Sequence, residues 1–399
     1  MLTLDQVRLA RETLNGIVRK TDLIPAPDLS PENHIFLKEE NLQVTGSFKI
    51  RGAGNKIASL SAEEKRRGVI ACSAGNHAQG VALAASRQKI SSTICIPSCA
   101  PISKIEKTKS YGARVCLVDG VYDDACEKAC ALQKESGAVL IHPFNDDKVI
   151  AGQGTVGLEI LEQLPETDAV VVPVGGGGLV SGVAFAVKTL KPECKVYGVQ
   201  ASGAPGMLHA IQTGRVEPLG RISTFADGIA VKCPGDLTYA YCKKYVDGIV
   251  TVTDDEIATA ILHLIEQQKI VSEGAGAASV AAVLFDKIDL RGKNIVCVVS
   301  GGNIDVTILS RVIHRGLMKE GRIGRILIDA ADTPGQVMEI STIIAKLGGN
   351  IISIYHDRNV ETSGVNFCFL SIYIETKDRS HYERICEGIA GAGHRILSK

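Results

Sequence analysis

The sequence predicts an α/β protein with largely parallel sheets, followed by a ferredoxin-like unit at the C-terminus. Through about residue 300, short apolar runs alternate with segments of helical length, which is typical of βα units. Glycine-rich turns follow several of these runs, and the carboxyl ends of parallel strands are where open sheets bind ligands. After Gly321 the order becomes strand, helix, strand, strand, helix, with room for a last strand at 395–397.

The first three hundred residues supply the individual elements. The predicted strands are 35–38, 68–72, 93–97, 114–118, 138–141, 169–174, 196–199 and 294–299. The predicted helices cover 3–17, 49–57, a segment after residue 73, 102 to about 112, 123–135, about 149–162 and a segment after the glycine run at 175–178. Ser47 is predicted to cap the helix that contains Lys49.

Composition narrows the class of protein. The 399 residues are 45% hydrophobic and 22% charged, with a formal net charge of zero, so we expect a globular chain of two or three domains. Interspersed charges and the absence of Trp argue against nucleic-acid or anionic-membrane partners. The N-terminus lacks a signal-peptide design, and no apolar run reaches about 18 residues. We expect a cytoplasmic location.

The twelve cysteines are scattered, and many lie in apolar runs. The pairs Cys95/Cys99 and Cys126/Cys130 lack a second ligand pair at zinc-site spacing. We therefore expect mainly reduced, buried thiols and no bound metal.

Lys49 is the strongest candidate for a reactive side chain. It follows Ser47-Phe48 and would lie in the first turn of a helix. Burial and the positive end of the helix dipole both favour a neutral, nucleophilic amine.

A glycine run is the second candidate. Gly175, Gly176, Gly177 and Gly178 follow an apolar strand and open a helix, an arrangement that holds phosphate through backbone N–H groups. The G-x-G-x-x-G match at 152–157 has no strand before it, and Gln200 stands where a ribose-binding acid would be expected. No P-loop motif occurs. A small monophosphate cofactor remains, and a phosphate cradle with a buried lysine suits pyridoxal phosphate.

Six motifs occur in a fixed order that resembles the threonine ammonia-lyase (threonine dehydratase) family of fold-type II pyridoxal-phosphate enzymes. They are SFKIRG at 47–52, SAGNHAQG at 73–80, GGGG at 175–178, DG at 227–228, EGAGA at 273–277 and SGGN at 300–303. The tail resembles an ACT regulatory domain. The resemblance implies a catalytic domain at 1–320, with a small subdomain at about 53–145, and an ACT domain at 321–399. The helix at 306–318 would form the joint.

The resemblance also implies roles for individual residues. Lys49, Ser73 and Asn76 would be catalytic, and Lys49 would bind the cofactor aldehyde. The substrate carboxylate would meet Ser73, Gly75, Asn76 and His77. The cofactor would contact Phe48, Lys49, Asn76, the glycines 175–178, Leu179, Gly228 and Ser300. Plainer interpretations stay open: Ser73 as a helix cap, His77 as a packed histidine and Glu273 as a surface carboxylate.

The implied reaction is β-elimination of threonine to 2-oxobutanoate and ammonia, with serine giving pyruvate. Lys49 would take the α-proton. A serine rather than a carboxylate at the ring nitrogen favours prompt elimination over transamination. Two alternatives remain. A serine racemase of this fold would carry a serine where this chain has Ala74, and Gln200 replaces an acid of its metal site. A catalytically dead amino-acid sensor would not need an intact Lys49.

The tail would carry the regulation. In the ACT family, two turns face each other across paired domains and hold an amino acid. Here the first turn would carry Asp332 and Gly335, and the second Asn350 and Ile351. The expected effector is isoleucine. The same resemblance suggests a homotetramer. Ordinary turn chemistry in an assembly module is the alternative.

Overall fold

Two units make up the chain, Met1–Asp305 and Val306–Lys399. The structure, a computed structural model, describes residues 2–358 and 366–398. The helix predicted as the joint is part of the second unit. The domain boundary drawn from the sequence after residue 320 stays a prediction.

The first unit contains two separate sheets. Its strands are β1 Leu23–Pro25, β2 His34–Lys38, β3 Val69–Cys72, β4 Ser92–Pro97, β5 Arg114–Val118, β6 Val139–Leu140, β7 Ala169–Pro173, β8 Lys195–Ala201, β9 Gly248–Val252 and β10 Asn294–Val298. The larger sheet has the order β1-β2-β10-β7-β8-β9, and the smaller one β5-β4-β3-β6. Every pairing is parallel except β1 with β2. The predicted α/β class is confirmed.

Helices cover both sheets of the first unit. They are α1 Leu4–Thr13, α2 Lys49–Ala58, α3 Ala62–Arg67, α4 Asn76–Arg87, α5 Ile102–Ser110, α6 Tyr122–Ser136, α7 Asp147–Gln163, α8 Gly178–Leu190, α9 Gly206–Thr213, α10 Asp236–Tyr245, α11 Asp254–His263 and α12 Gly274–Leu284. Strands β3 and β7 are buried along their whole length, as expected of parallel strands with both faces covered. The elements β1, β9, α3 and α9 to α12 are absent from the sequence prediction.

The expected cap of α2 was wrong. The helix begins at Lys49 with Phe48 as its N-cap residue, and no side chain caps it. Ser47 instead forms an antiparallel bridge with Gly301. Its buried hydroxyl has no hydrogen-bond partner within the described chain. The backbone of Ser47 is engaged in this bridge, and α2 starts two residues later.

A buried ion network fixes α2 against α7. The Arg51 guanidinium hydrogen-bonds Glu40 at 2.7 Å and Glu159 at 2.6 Å, and the Lys38 amine bonds Glu159 at 2.7 Å. All four side chains are nearly inaccessible. Burial acts to lower the pKa of Arg51, but the two carboxylates outweigh it and raise that pKa. Arg51 lies two residues beyond Lys49, so the network holds the start of α2 in place.

The second unit is a βαββαβ fold preceded by a helix. Its elements are α13 Val306–Lys319, β11 Ile323–Ala331, α14 Gln336–Lys346, β12 Asn350–Asp357, β13 Phe367–Glu375, α15 Arg379–Gly391 and β14 Arg395–Ser398. The antiparallel sheet has the order β12-β13-β11-β14. Alternate residues of β11, such as Ile326 and Ile328, are buried against the helices, as strand geometry requires. The predicted ferredoxin-like order is confirmed.

None of the helices within the described residues has both the length and the apolar character that a membrane span would need.

Candidate active site

Lys49 is the first residue of α2. Its amine donates to the carbonyl of Pro143 at 3.3 Å and lies 5.1 Å from the centre of the Phe48 ring. Burial lowers the pKa of Lys49 to about 8, against the opposing charge of Glu273. The neutral, nucleophilic fraction of the amine near neutral pH is therefore much larger than that of an ordinary solvated lysine.

The loop between β3 and α4 has the properties of a carboxylate site. Gly75 is the N-cap residue of α4, and its N–H donates to the Ser73 hydroxyl at 3.1 Å. Within the described residues, the N–H groups of 76–78 donate to no protein acceptor. Free N–H groups and the helix dipole at this end suit an anion.

The His77 ring does not take part in this carboxylate site. Its Nε2 lies 2.7 Å from the carbonyl of Ile141, and burial lowers its pKa to about 3. The imidazole is therefore neutral and packed, and only the backbone of His77 belongs to the free end of the helix.

The glycine run follows β7 and opens α8, as predicted. No N–H group of residues 175–179 donates to an acceptor in the part of the chain that the structure describes. Gly177 has φ +96°, a conformation that favours glycine. A Cβ at Gly176 would lie 2.3 Å from the Phe144 ring. The Thr238 hydroxyl donates to the Gly176 carbonyl at 2.6 Å. The loop is thus held by its carbonyl side while its N–H groups stay available for phosphate.

Two contacts join the lysine to the glycine run. Pro143 accepts the hydrogen bond of Lys49, and the next residue, Phe144, packs on Gly176 and Gly178. Pro143 and Phe144 therefore lie between the Lys49 amine and the phosphate cradle.

The buried Glu273 and the half-buried Asn76 form a hydrogen-bonded pair beside the lysine. The Asn76 amide donates to Glu273 Oε1 at 2.6 Å, and the Asn303 amide donates to Asn76 Oδ1 at 2.7 Å. Glu273 is only 4% exposed, so its interpretation as a surface carboxylate is wrong. Burial, followed by the charge of Asp227, raises the pKa of Glu273 to about 7.

The loop after β10 completes the site. The Phe48 N–H donates to the Ser300 carbonyl at 3.1 Å. A Cβ at Gly301 would lie 2.4 Å from Glu273 Oε1, and one at Gly228 would lie 3.3 Å from the same oxygen. The predicted residues of the first unit therefore lie in one connected group around Lys49. Their individual roles stay predictions.

Sequence reasoning missed several residues of this group. Phe144, Thr238 and Asn303 had no assigned role, and Glu273 had no assigned partner. The run of Gly and Ala after Glu273 indicates that α12 begins where neighbouring groups leave little room for larger side chains. Nothing in the sequence marks Thr238, whose hydrogen bond spans 62 residues.

Gln200 is engaged in the fold. Its amide nitrogen donates to Val174 at 3.2 Å and to Ala204 at 3.4 Å, and its oxygen accepts from the Leu208 N–H at 2.8 Å. The side chain that stands in place of an acid thus fastens the strand end to α9.

The predicted effector residues are divided between two places in the second unit. Asp332 and Gly335 line a cavity of about 360 Å³ together with His356 and Arg358. Asn350 is the first residue of β12, whereas His356 lies near the other end of that strand. The Asn350 amide donates to Glu375 at 3.2 Å. Ile351 packs against the core of the unit. A single chain therefore does not bring the two turns together.

A glycine cradle for phosphate beside a buried lysine, on two parallel α/β sheets, defines a class of cofactor-dependent enzyme. Residues 14–301 match the family described as pyridoxal-phosphate dependent enzyme, and the chain belongs to this family. The residues present fit the cofactor, since the N–H groups of 175–179 are free and the Lys49 amine is enclosed. The predicted cofactor, pyridoxal 5'-phosphate, and the fold-type II class are confirmed.

Individual proteins of known activity are also similar to this chain. The chain is 51% identical over 398 residues to the L-threonine ammonia-lyase of Thermotoga maritima, with 99% of each chain covered. Threonine deaminase isoform 2 from Solanum lycopersicum, in its processed form, has a TM-score of 0.75 and 38% identity, covering 78% of this chain and 92% of that one. Maize serine racemase has a TM-score of 0.74 and 36% identity, covering 79% and 98%.

Proposed function

We propose that this chain is a threonine ammonia-lyase that converts L-threonine to 2-oxobutanoate and ammonia, and L-serine to pyruvate. The observation that carries the proposal is the Lys49 amine, with its lowered pKa, placed between a phosphate cradle and a free helix N-terminus. Identity of 51% to an L-threonine ammonia-lyase along almost the whole chain supports the choice of substrate.

Pyridoxal phosphate, when bound, withdraws electron density from the substrate Cα and so acidifies its proton. The N–H groups of 175–179 would hold its phosphate. Phe48 would lie against the ring, Asn76 would meet the ring hydroxyl, and Ser300 would meet the ring nitrogen. Gly228 would border the ring, where a Cβ would lie 2.8 Å from Ala275 Cβ and 3.3 Å from Glu273 Oε1.

The protein's own groups divide the remaining work. The free N–H groups of 76–78 and the dipole of α4 would bind and orient the substrate carboxylate. Lys49 Nζ would accept the Cα proton, a task suited to an amine whose pKa is about 8. The hydrogen bond from Lys49 to Pro143 keeps the amine directed into the site.

A serine racemase is the closest competing function, because maize serine racemase shares the fold at 36% identity. Racemisation needs a second acid/base on the other face of the substrate. Ala74 carries no group that moves a proton, and elimination is therefore the function that the site supports.

Regulation by an amino acid forms the second part of the proposal. In the second unit, Arg358 Nε lies 3.0 Å from Asp332 Oδ2 at the wall of the 360 Å³ cavity. An amino acid brings one carboxylate and one ammonium, which match this opposed pair. Isoleucine is the proposed effector, bound by Asp332 and Gly335 with Asn350 and Ile351 of a second ACT-type domain. A homotetramer would supply the pairing of two ACT-type domains. A cytoplasmic location fits the small substrates.

The direct test is to load the purified chain with pyridoxal phosphate and add L-threonine. Equal amounts of 2-oxobutanoate and ammonia are expected, with pyruvate from L-serine. Cofactor binding without either product would refute the proposed activity and favour the amino-acid sensor.

A further inference from the structure

Cys72 and Cys126 place their sulfur atoms 2.7 Å apart. Cys72 ends β3, and Cys126 lies in the second turn of α6. A disulfide has a sulfur–sulfur distance of about 2.05 Å, so a shift of well under 1 Å would join the two. We propose that this pair is an oxidation site at which hydroperoxides form a reversible disulfide that alters substrate binding.

The two thiols differ in access. Cys72 is 7% exposed, whereas Cys126 is only partly covered. Cys72 also lies 3.7 Å from the Tyr122 carbonyl, on the first turn of the same helix. A small oxidant therefore reaches Cys126 first, and Cys72 lies behind it as the resolving thiol.

The electrostatics agree with this order. Hydrogen bonding with Cys72, and then with Tyr122, lowers the pKa of Cys126 to about 7 despite burial. The thiolate is the reactive form of cysteine. The pKa of Cys72 is raised, chiefly by its hydrogen bond with Cys126 and by burial, so Cys72 stays protonated.

The chemistry balances with a hydroperoxide as oxidant. The Cys126 thiolate attacks the peroxide oxygen, the O–O bond breaks, and with one proton the products are a sulfenic acid and water. The Cys72 thiol then gives its proton to the leaving hydroxyl group as its sulfur attacks the Cys126 sulfur, so the S–O bond breaks and a second water leaves. The two thiols lose two electrons and the peroxide gains them. A thiol reductant reverses the reaction by exchange.

The site lies next to the active-site loop. Ser73 follows Cys72 directly, and the Ser73 N–H donates to the Cys95 carbonyl at 3.2 Å. A disulfide would pull the end of β3 toward α6 and move the Ser73 loop with it. Displacements of this size alter how well substrate is oriented. We expect KM for threonine to rise several-fold, an expectation that rests on the proposed function.

The neighbouring thiols offer a matched control. Cys130 is one helical turn beyond Cys126 on α6 and is exposed, and within the described residues the thiol that bonds Cys126 is that of Cys72, not that of Cys130. Cys95 is the register partner of Cys116 on β5 and of Cys72 on β3, so Cys95–Cys116 and Cys72–Cys95 are the competing pairs.

The experiment treats the full-length holoenzyme with hydrogen peroxide, alkylates free thiols and maps the peptides by mass spectrometry. A peptide joining Cys72 to Cys126 is expected, together with a raised KM that dithiothreitol restores. Cys126→Ser should abolish both effects, and Cys130→Ser should leave both intact.

Several outcomes would overturn the inference. They are the absence of the Cys72–Cys126 peptide, a Cys95–Cys116 or Cys72–Cys95 peptide in its place, or the linked peptide with unchanged KM. The peptide map does not depend on turnover. An enzyme without threonine activity before oxidation would therefore fail the proposed function while the disulfide is still tested.

Discussion

Asn76 Nδ2 donates a hydrogen bond to Glu273 Oε1 at 2.6 Å, which ties the first residue of α4 to the residue before α12. The acid is buried, and its charge acts on Lys49. The site therefore contains a carboxyl group with a pKa of about 7 and an amine with a pKa of about 8, both open to titration near neutral pH.

The first prediction concerns the pH dependence of stability. Because the pKa of Glu273 is raised from 4.5 to about 7, the folded state holds a proton that the unfolded state loses as pH rises between those values. Stability from this group is complete below about pH 4.5 and is lost as pH rises through 7. The free energy of unfolding of Glu273→Gln, relative to that of the wild type, should therefore rise by roughly 3 kcal/mol over that pH range. Urea unfolding of the cofactor-free protein at several pH values measures it.

An exposed exchange supplies the control for that series. Glu63→Gln, whose side chain is 71% exposed, should follow the wild type at every pH. A constant difference between Glu273→Gln and wild type from pH 4.5 to 8 would contradict the buried acid.

The second prediction concerns Lys49. Lys49→Ala should lower threonine turnover by several orders of magnitude, because the group proposed to accept the Cα proton is lost. Retention of some cofactor is expected through the glycine run. Lys56→Ala, at the other end of α2, is the matched control and should keep most of the activity. Ammonia release at a near-normal rate from Lys49→Ala would refute the assignment.

The third prediction concerns Ala74. L-Serine incubated with the holoenzyme in heavy water should give pyruvate without appreciable D-serine, since the second face lacks an acid/base. Chiral chromatography measures both products. D-Serine formed at a rate comparable with pyruvate would make the racemase the better description. Ala74→Ser could then be compared for any added racemisation.

The sequence predicted those parts of the site that depend on local pattern. An apolar strand before a glycine run and a helix after it gave the cradle at 175–178, and the SFKIRG segment gave Lys49. It could not give the partner of Glu273, because the Asn76–Glu273 bond joins residues 197 positions apart. Ser47 was assigned a local role as a cap, whereas a long-range bridge to Gly301 takes its backbone.

The fourth prediction concerns the ion network under α2. Arg51→Met leaves Glu40 and Glu159 buried without their main cation, which should destabilise the protein by about 3–5 kcal/mol. Arg11→Met removes one of the two cations paired with Glu162 on the same helix α7, where the Arg11 and Glu162 side chains are 46% exposed. That loss should be under about 1 kcal/mol. Equal denaturant midpoints for the two variants would show that the network is not a stabilising element.

The fifth prediction concerns the second unit. Isoleucine should shift the apparent threonine affinity several-fold or more, the result of a coupling of about 1–3 kcal/mol. The physical basis is the opposed pair of Arg358 and Asp332 at the cavity wall. Threonine saturation curves with and without isoleucine and valine measure the effect, and calorimetry measures binding. Arg358→Gln should weaken the response but keep basal turnover.

Truncation locates the effector site. A chain ending at Glu320 lacks the whole βαββαβ fold and should lose the response to isoleucine while keeping threonine turnover. If the truncated chain still responds, the effector binds in the first unit, because no part of the cavity remains. If the full-length curve ignores both amino acids and calorimetry shows no binding, the second unit acts in assembly alone. Asn350→Ala separates the remaining cases, since its amide donates to Glu375 in its own chain and does not line the cavity. A weakened response in this variant would require a second domain to bring Asn350 to the cavity.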